Sequence, residues 1–365
     1  MIISRTPYRI SFFGGGTDYP SWYRHYGGQV IATSIDKYCY ISARYLPPFF
    51  DHKFRIVYSR IENCQTIDEI AHPAVRECLR HFGFEQGLEI HHDGDLPARS
   101  GLGSSSAFVV GLLHALHALR GAIPAKERLA HEAIHMEQVQ LKETVGSQDQ
   151  VMAAHGGFQR VEFLSDGEIR VTPLTLHPDR LEALNAHLML FFTGIKRTAT
   201  TIAETYASDV ASVETQLRTM GGLVEEAFQI LAGRCDLTAF GRLLHESWLA
   251  KRSLSRQVSN SLIDGIYSAA CAAGALGGKL IGAGGGGFML LFARPSDHER
   301  IRERLAKLVH VPFRFEHSGS RIIFSDPTQD YSTQSRLRDT QHTVRFRECG
   351  GVVAGASRRA PAETV

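Results

Sequence analysis

Twelve residues constrain this chain more than any others: Leu96-Pro97-Ala98-Arg99-Ser100-Gly101-Leu102-Gly103-Ser104-Ser105-Ser106-Ala107. They form a glycine and serine loop that runs straight into an apolar helix. Phe108, Val109, Leu112, Leu113, Leu116 and Leu119 recur on one face at helical spacing. The first amides of such a helix have no intrahelical partner, and its dipole places positive potential at that end. The result is a ready anion site. Gly101 and Gly103 lack a Cβ, so a phosphate chain could approach the backbone. The three serines offer hydroxyls to phosphate oxygens or to a hard cation. An N-capped core helix needs only one of them.

Two further glycine-rich segments lie far away, at 14–16 and 282–287. One alone would be a turn. The three together suggest a site gathered from both halves of the chain, with backbone amides aimed at anions. Phosphoryl transfer needs such a cradle, a magnesium ion and a positioned nucleophile. Glu132, Glu137, Glu143 and Asp149 are the carboxylates near the right elements.

Two other motifs are decoys. His131-Glu132-Ala133-Ile134-His135 has the spacing of a helical zinc pair. The chain holds 18 histidines, and no third ligand stands out, so solvent-facing histidines are the preferred reading. Gly282-x-Gly284-x-x-Gly287 matches the dinucleotide fingerprint. Here it precedes a strand instead of opening a helix.

The chain of 365 residues has room for two domains. Its net charge of +2 and the lack of a basic stripe argue against nucleic acid as partner. No apolar run suits a membrane span. The start lacks a signal-peptide pattern, and the six cysteines are scattered, which points to reduced thiols and the cytoplasm. The pattern is α+β: strands first, then helices at about 105–120 and 125–142. A buried strand follows at 188–192, helical periodicity at 201–231 and 237–256, and a strand at 288–292. The expected division is 1–185, 186–326, and a polar tail, 327–365, weakly packed or disordered.

Three motifs then match in order: Thr6–Tyr19, Pro97–Ala107 and Lys279–Phe288. With them the chain resembles the GHMP kinases, the superfamily of galactokinase, homoserine kinase, mevalonate kinase and phosphomevalonate kinase. The resemblance implies a ribosomal protein S5 domain 2-like N-terminal domain and a ferredoxin-like C-terminal domain, with ATP and Mg2+ as cofactors. The run Arg9–Pro20, with Gly146-Ser147-Gln148-Asp149-Gln150 and Gly156-Gly157, is similar to one branch. Members of that branch, the D-glycero-D-manno-heptose 7-phosphate kinases, phosphorylate the anomeric hydroxyl. The product would be the 1,7-bisphosphate, a precursor of nucleotide-heptose for bacterial capsule or lipopolysaccharide. Another sugar-1-kinase, for fucose, galactose or a mannose-like sugar, is the alternative. A homodimer is left open.

The same resemblance implies residue roles. Asp149 takes the place of the catalytic aspartate and would accept or steer the O1 proton, with Arg9 beside it. Gly14, Gly15, Gly16, Thr17 and Asp18 would meet the sugar, Asp18 holding ring hydroxyls. Lys196 and Arg197 could reach a substrate phosphate. Arg99, Gly101, Gly103, Ser104, Ser105 and Ser106 would bind the ATP phosphates, with Gly284 and Gly285, and on to Gly287, packed beneath the loop. Ser105 and Glu137 are the expected metal ligands.

Overall fold

Two long strands carry the first half of the chain, β1 (Ile2–Phe13) and β2 (Gly28–Tyr45), joined through the short helix α1 (Pro20–Tyr26). The computed structural model describes residues 1–98, 100–195, 210–233, 236–326 and 331–340. β2 is long enough to serve several partners. It pairs β1 along one side, and β5 (Leu88–Gly94) and β6 (Phe158–Phe163) on the other. β3 (Phe54–Val57) runs parallel to β5, β4 (Ile61–Cys64) closes one edge, and β7 (Ile169–Pro173) pairs β6.

Besides α1, the described residues of this unit form helices α2 (Pro73–Phe82), α3 (Ser104–Leu119), α4 (Lys126–His135) and α5 (Gln148–His155). α3 is the central one. Most of its residues are buried, and Gly111 lets it sit tight on β1, where Ser4 Oγ donates to Gly111 O at 2.7 Å. The expected helix at 125–142 is really α4 plus a π-turn, Met136–Gln140. That wider turn rotates the side chains following α4, and such turns often accompany sites.

The register of β1 against β2 slips between Pro7 and Arg9. Proline has no N–H for the ladder, so a slip is cheap there. Beyond the slip Arg9 pairs with Ser34 of β2, and its N–H donates to Leu102 O of the glycine-serine loop at 3.1 Å. A bulge of this kind re-aims a side chain.

After α6 (Pro178–Ala186) the second sheet begins. It has the order β11-β8-β10-β9: β8 (Leu188–Phe192), β9 (Ala275–Leu280), β10 (Phe288–Ala293) and β11 (Val309–His310). Helices α7 (Glu214–Ala232), α8 (Thr238–Arg252) and α9 (Ser261–Ala272) precede β9, and α10 (His298–Arg304) follows β10. β9 opens earlier than a reading from Lys279 suggests. Its Gly277 has no side chain because helix α8 lies on it: a Cβ there would collide with Gly241 O. Gly277→Ala is therefore expected to cost about 3 kcal/mol in a denaturant titration, as overpacking does. A midpoint equal to wild type would mean that helix and strand part freely.

The expected boundary at 185/186 falls at the end of α6. The unit expected at 186–326 then gives its last strands to the first sheet. β12 (Phe315–Glu316) pairs β2, and β13 (Arg321–Ser325) pairs β1. Exposed edges of β1 need a partner for their N–H and C=O groups, and β13 supplies it. In the tail, residues Ser332–Thr340 form a helix, α11, where loose chain is expected. Its Ser332, Ser335 and Arg336 line a groove with Tyr45, Lys53 and Arg120. The α+β architecture is as expected, and among the described residues no helix is long and apolar enough to cross a membrane.

Candidate active site

Gly103 caps the start of α3 with a left-handed backbone (φ 75°), and no side chain caps the helix. No acidic residue sits in the first turn to repel an anion, and the amide end of the helix favours one. Gly101 is also left-handed (φ 85°), and a Cβ there would lie 2.5 Å from Ile281 O. The two halves of the molecule meet at this glycine.

Arg9 is 4% exposed and uses three of its side-chain donors. Nε and an Nη donate to Asp149 Oδ1 and Oδ2 at 2.7 and 2.8 Å. The other Nη donates to Gly101 O at 2.7 Å. A bidentate fork of this kind fixes carboxylate orientation as well as charge. Asp149 sits in the first turn of α5, with its side chain 24% exposed. A Cβ on Gly103 would come within 3.5 Å of its carboxyl. The expected pair thus lies directly against the phosphate loop.

The expected metal ligands are not both brought together. Ser105 is exposed on the first turn of α3. The hydroxyl that reaches Glu137 is Ser106, whose Oγ donates to Glu137 Oε2 at 2.8 Å; Gln150 Nε2 donates to the same oxygen. Glu137 stands in the π-turn, so helical counting from α4 does not tell which serine it meets. It is fully buried, and burial pushes its carboxyl up to about 8, against the pull of the Ser106 and Gln150 bonds; the charges of Glu143 and Asp149 push the same way. Its Oε1 has no partner. A buried carboxylate with a free oxygen beside a hydroxyl suits a hard cation.

The sugar-side loop is more structural than expected. Thr17 Oγ1 donates to Gly14 O at 2.8 Å and accepts from Gln29 N at 3.0 Å. Asp18 is 1% exposed. Its oxygens accept from Gly16 N at 2.8 Å and Gln148 N at 3.3 Å, pinning the loop to the start of α5. Burial raises its pKa, the Asp149 charge adds to that, and the two amides oppose. Gly15 is the partly open member of this loop. A Cβ there would meet Ser11 Oγ at 3.3 Å and Gln148 Nε2 at 3.6 Å. Ser11 Oγ and Gln148 Oε1 are buried and unpartnered, and neither residue was expected. Their signal, polar residues within motif segments, is too common to read without the fold.

Gly284 and Gly285 are corrected as well. They lie against Val258, with Gly285 N donating to Val258 O at 2.9 Å. Of the expected run, Gly287 does abut the phosphate loop, at Ser100, and Gly282, which was not expected there, abuts Gly101. Ser104 lies in the first turn of α3. Arg99, Lys196 and Arg197 lie outside the described residues. In the HExxH segment, His131 and His135 are exposed, and Glu132 is engaged by His117 and Arg128.

A helix start without a side-chain cap, an Arg–Asp pair against it and a hydroxyl–carboxylate couple nearby are the parts that phosphoryl transfer calls for. The sequence matches the family models for the GHMP kinases N terminal domain at residues 69–157 and the GHMP kinases C terminal at 229–310. A D-glycero-alpha-D-manno-heptose 7-phosphate kinase of Campylobacter jejuni is 29% identical over 84% of this chain and 93% of its own. A galactokinase of Thermococcus kodakarensis is 26% identical over 83% of this chain and 92% of its own. In fold, a crystal structure described as a D-glycero-D-manno-heptose 1-phosphate kinase from Bacteriodes thetaiotaomicron superposes with a TM-score of 0.72 at 24% identity, covering 89% of this chain and all of that one. The chain belongs to the GHMP kinase family. Within that family it is a sugar kinase.

Proposed function

We propose that this kinase transfers the γ-phosphoryl group of ATP to the anomeric hydroxyl of a heptose 7-phosphate, giving the 1,7-bisphosphate. The observation that carries the reading is the Arg9–Asp149 pair set against the mouth of α3. Asp149 accepts the O1 proton as the O1–P bond forms and the bond from phosphorus to the ADP oxygen breaks. A hemiacetal hydroxyl is more acidic than an ordinary alcohol, so a plain carboxylate suffices. Arg9 holds that carboxylate in line and adds positive charge where the phosphoryl group passes. The loop amides at 103–106 bind the triphosphate. Ser106 and Glu137 would hold Mg2+, which would supply positive charge beside the phosphates. Ser11 and Gln148 offer their unpartnered atoms to sugar hydroxyls beside Gly15.

The heptose relative supports the substrate: over similar spans it is 29% identical, against 26% for the galactokinase. The product suits nucleotide-heptose synthesis for a bacterial surface polysaccharide. The test is a substrate panel of heptose 7-phosphate, mannose, fucose, galactose and mevalonate, read by ADP release and NMR of the phosphorylated carbon. Turnover with heptose 7-phosphate at C1 is expected. Turnover with mevalonate alone, or phosphate on another carbon, overturns the reading.

A further inference from the structure

Two lysines are buried behind the site. Lys251, in the last turn of α8, is 6% exposed, and Lys279, on β9, is 2% exposed. Lysine is seldom buried, because taking an ammonium out of water is costly. A core built for stability alone does as well with apolar side chains there. What each lysine holds is informative.

Lys251 Nζ donates to Leu280 O at 2.7 Å and also to Gly282 O. The contact exists because Gly277 lets α8 lie directly on β9, bringing its last turn under the end of the strand. Gly282 in turn abuts Gly101: a Cβ on Gly282 would lie 2.5 Å from Gly101 Cα. Gly101 O is the third acceptor of Arg9. The phosphate loop therefore rests on a backbone segment that Lys251 ties in place.

Lys279 points the other way. Its Nζ donates to Phe12 O at 2.8 Å, at the end of β1 where the chain enters the Gly14–Gly16 turn. Burial first and then the Arg9 charge, with Asp18 opposing, bring its pKa down to about 7, which sets Lys279 among the groups of the sugar-side loop. Lys251 is lowered by burial, then by Lys279 and Arg9.

We propose that Lys251 and Lys279 are positioning residues that divide the two substrates between them: Lys251 seats the phosphate loop for the nucleotide, and Lys279 seats the glycine turn for the sugar. The division rests on the assignment of residues 101–106 to the nucleotide and 14–18 to the sugar. Neither lysine need touch a substrate. Each acts through the carbonyl it holds.

The experiment is a crossed pair of variants of the full chain, Lys251→Met and Lys279→Met. Methionine keeps an unbranched stem and removes the donors. Kinetics use whichever sugar the wild type phosphorylates, and the dissociation constant of MgADP is measured by calorimetry without sugar. Lys251→Met is expected to raise the nucleotide KM and dissociation constant about tenfold, the worth of a bond to a charged donor, with the sugar KM within about twofold. Lys279→Met is expected to do the reverse. Lys251→Arg, which keeps paired donors, recovers part of the nucleotide affinity. Should a methionine variant fail to fold, the glutamine variant, with one donor kept, is read for the same split. A merely structural role would lower active fraction or move both constants together, and that result overturns the proposal. Wild type without sugar turnover would defeat the functional reading instead, and the calorimetric constants would still decide the Lys251 half.

Discussion

Asp149→Asn is expected to lower kcat about 10³-fold, or about 4 kcal/mol of transition-state stabilisation, while nucleotide still binds. Asparagine has the same shape, so the change isolates chemistry. Two losses combine. The amide cannot take the O1 proton. Its nitrogen also faces an N–H of Arg9, which now donates to Asp149 at both oxygens, at 2.7 and 2.8 Å. Arg9 keeps its bond to Gly101 O, so the phosphate loop stays seated. Calorimetry with MgADP should therefore give a dissociation constant near wild type beside the lost turnover. Unchanged turnover would remove Asp149 from its role.

Glu137→Gln should separate stability from activity. Glu137 is buried with its pKa raised to about 8, against an ordinary carboxylate value near 4.3. Between those values the folded state keeps a proton that the unfolded chain has lost. Stability of the metal-free protein therefore falls as pH rises through that window, and the full penalty is present above the folded pKa. Glutamine carries no such proton. Its carbonyl can still accept from Ser106 and Gln150, the bonds that Oε2 takes in wild type. In EDTA, the melting temperature of the variant relative to wild type is expected to climb by about 5 °C from pH 5 to pH 9. With Mg2+ and ATP the variant should lose activity on the order of 10²-fold, since a metal clamp is worth several kcal/mol. A flat difference across pH would show that Glu137 is solvated in the folded protein. Full activity would move the metal elsewhere.

Much of the site could be read before any fold was known, and the reason is that its signals are local. The loop at 96–107 and the apolar face that follows it announce α3 within one turn of its actual start at Ser104. The strand at 188–192 needs only its unbroken apolar run. Arg9 and Asp149 come from motif segments whose residue types carry the chemistry, and the fold brings them together across 140 positions of chain. The same reading failed where a side chain's direction depends on its surroundings. Ser105 and Ser106 are neighbours on one helix, and only the π-turn at Met136–Gln140 decides that Glu137 meets the second. Asp18 reads as a ligand for a sugar, yet the start of α5 comes close enough to occupy its oxygens.

From the sequence alone came the class of element at each place, the anion-binding helix start and the pair of charged groups for proton and phosphoryl movement. The first two follow from residue type and short-range periodicity, which act within a few residues; the charged pair follows from the resemblance of its two motif segments to the family. Only the tertiary structure decided that Gly282 joins Gly287 against the phosphate loop while Gly284 and Gly285 lie against Val258. It also decided that Lys251 and Lys279 lie beneath the two loops and that the strands at 315–316 and 321–325 return to the first sheet. Each of those outcomes is a close approach between segments far apart in the chain, set by how whole sheets and helices pack, and no local pattern records it.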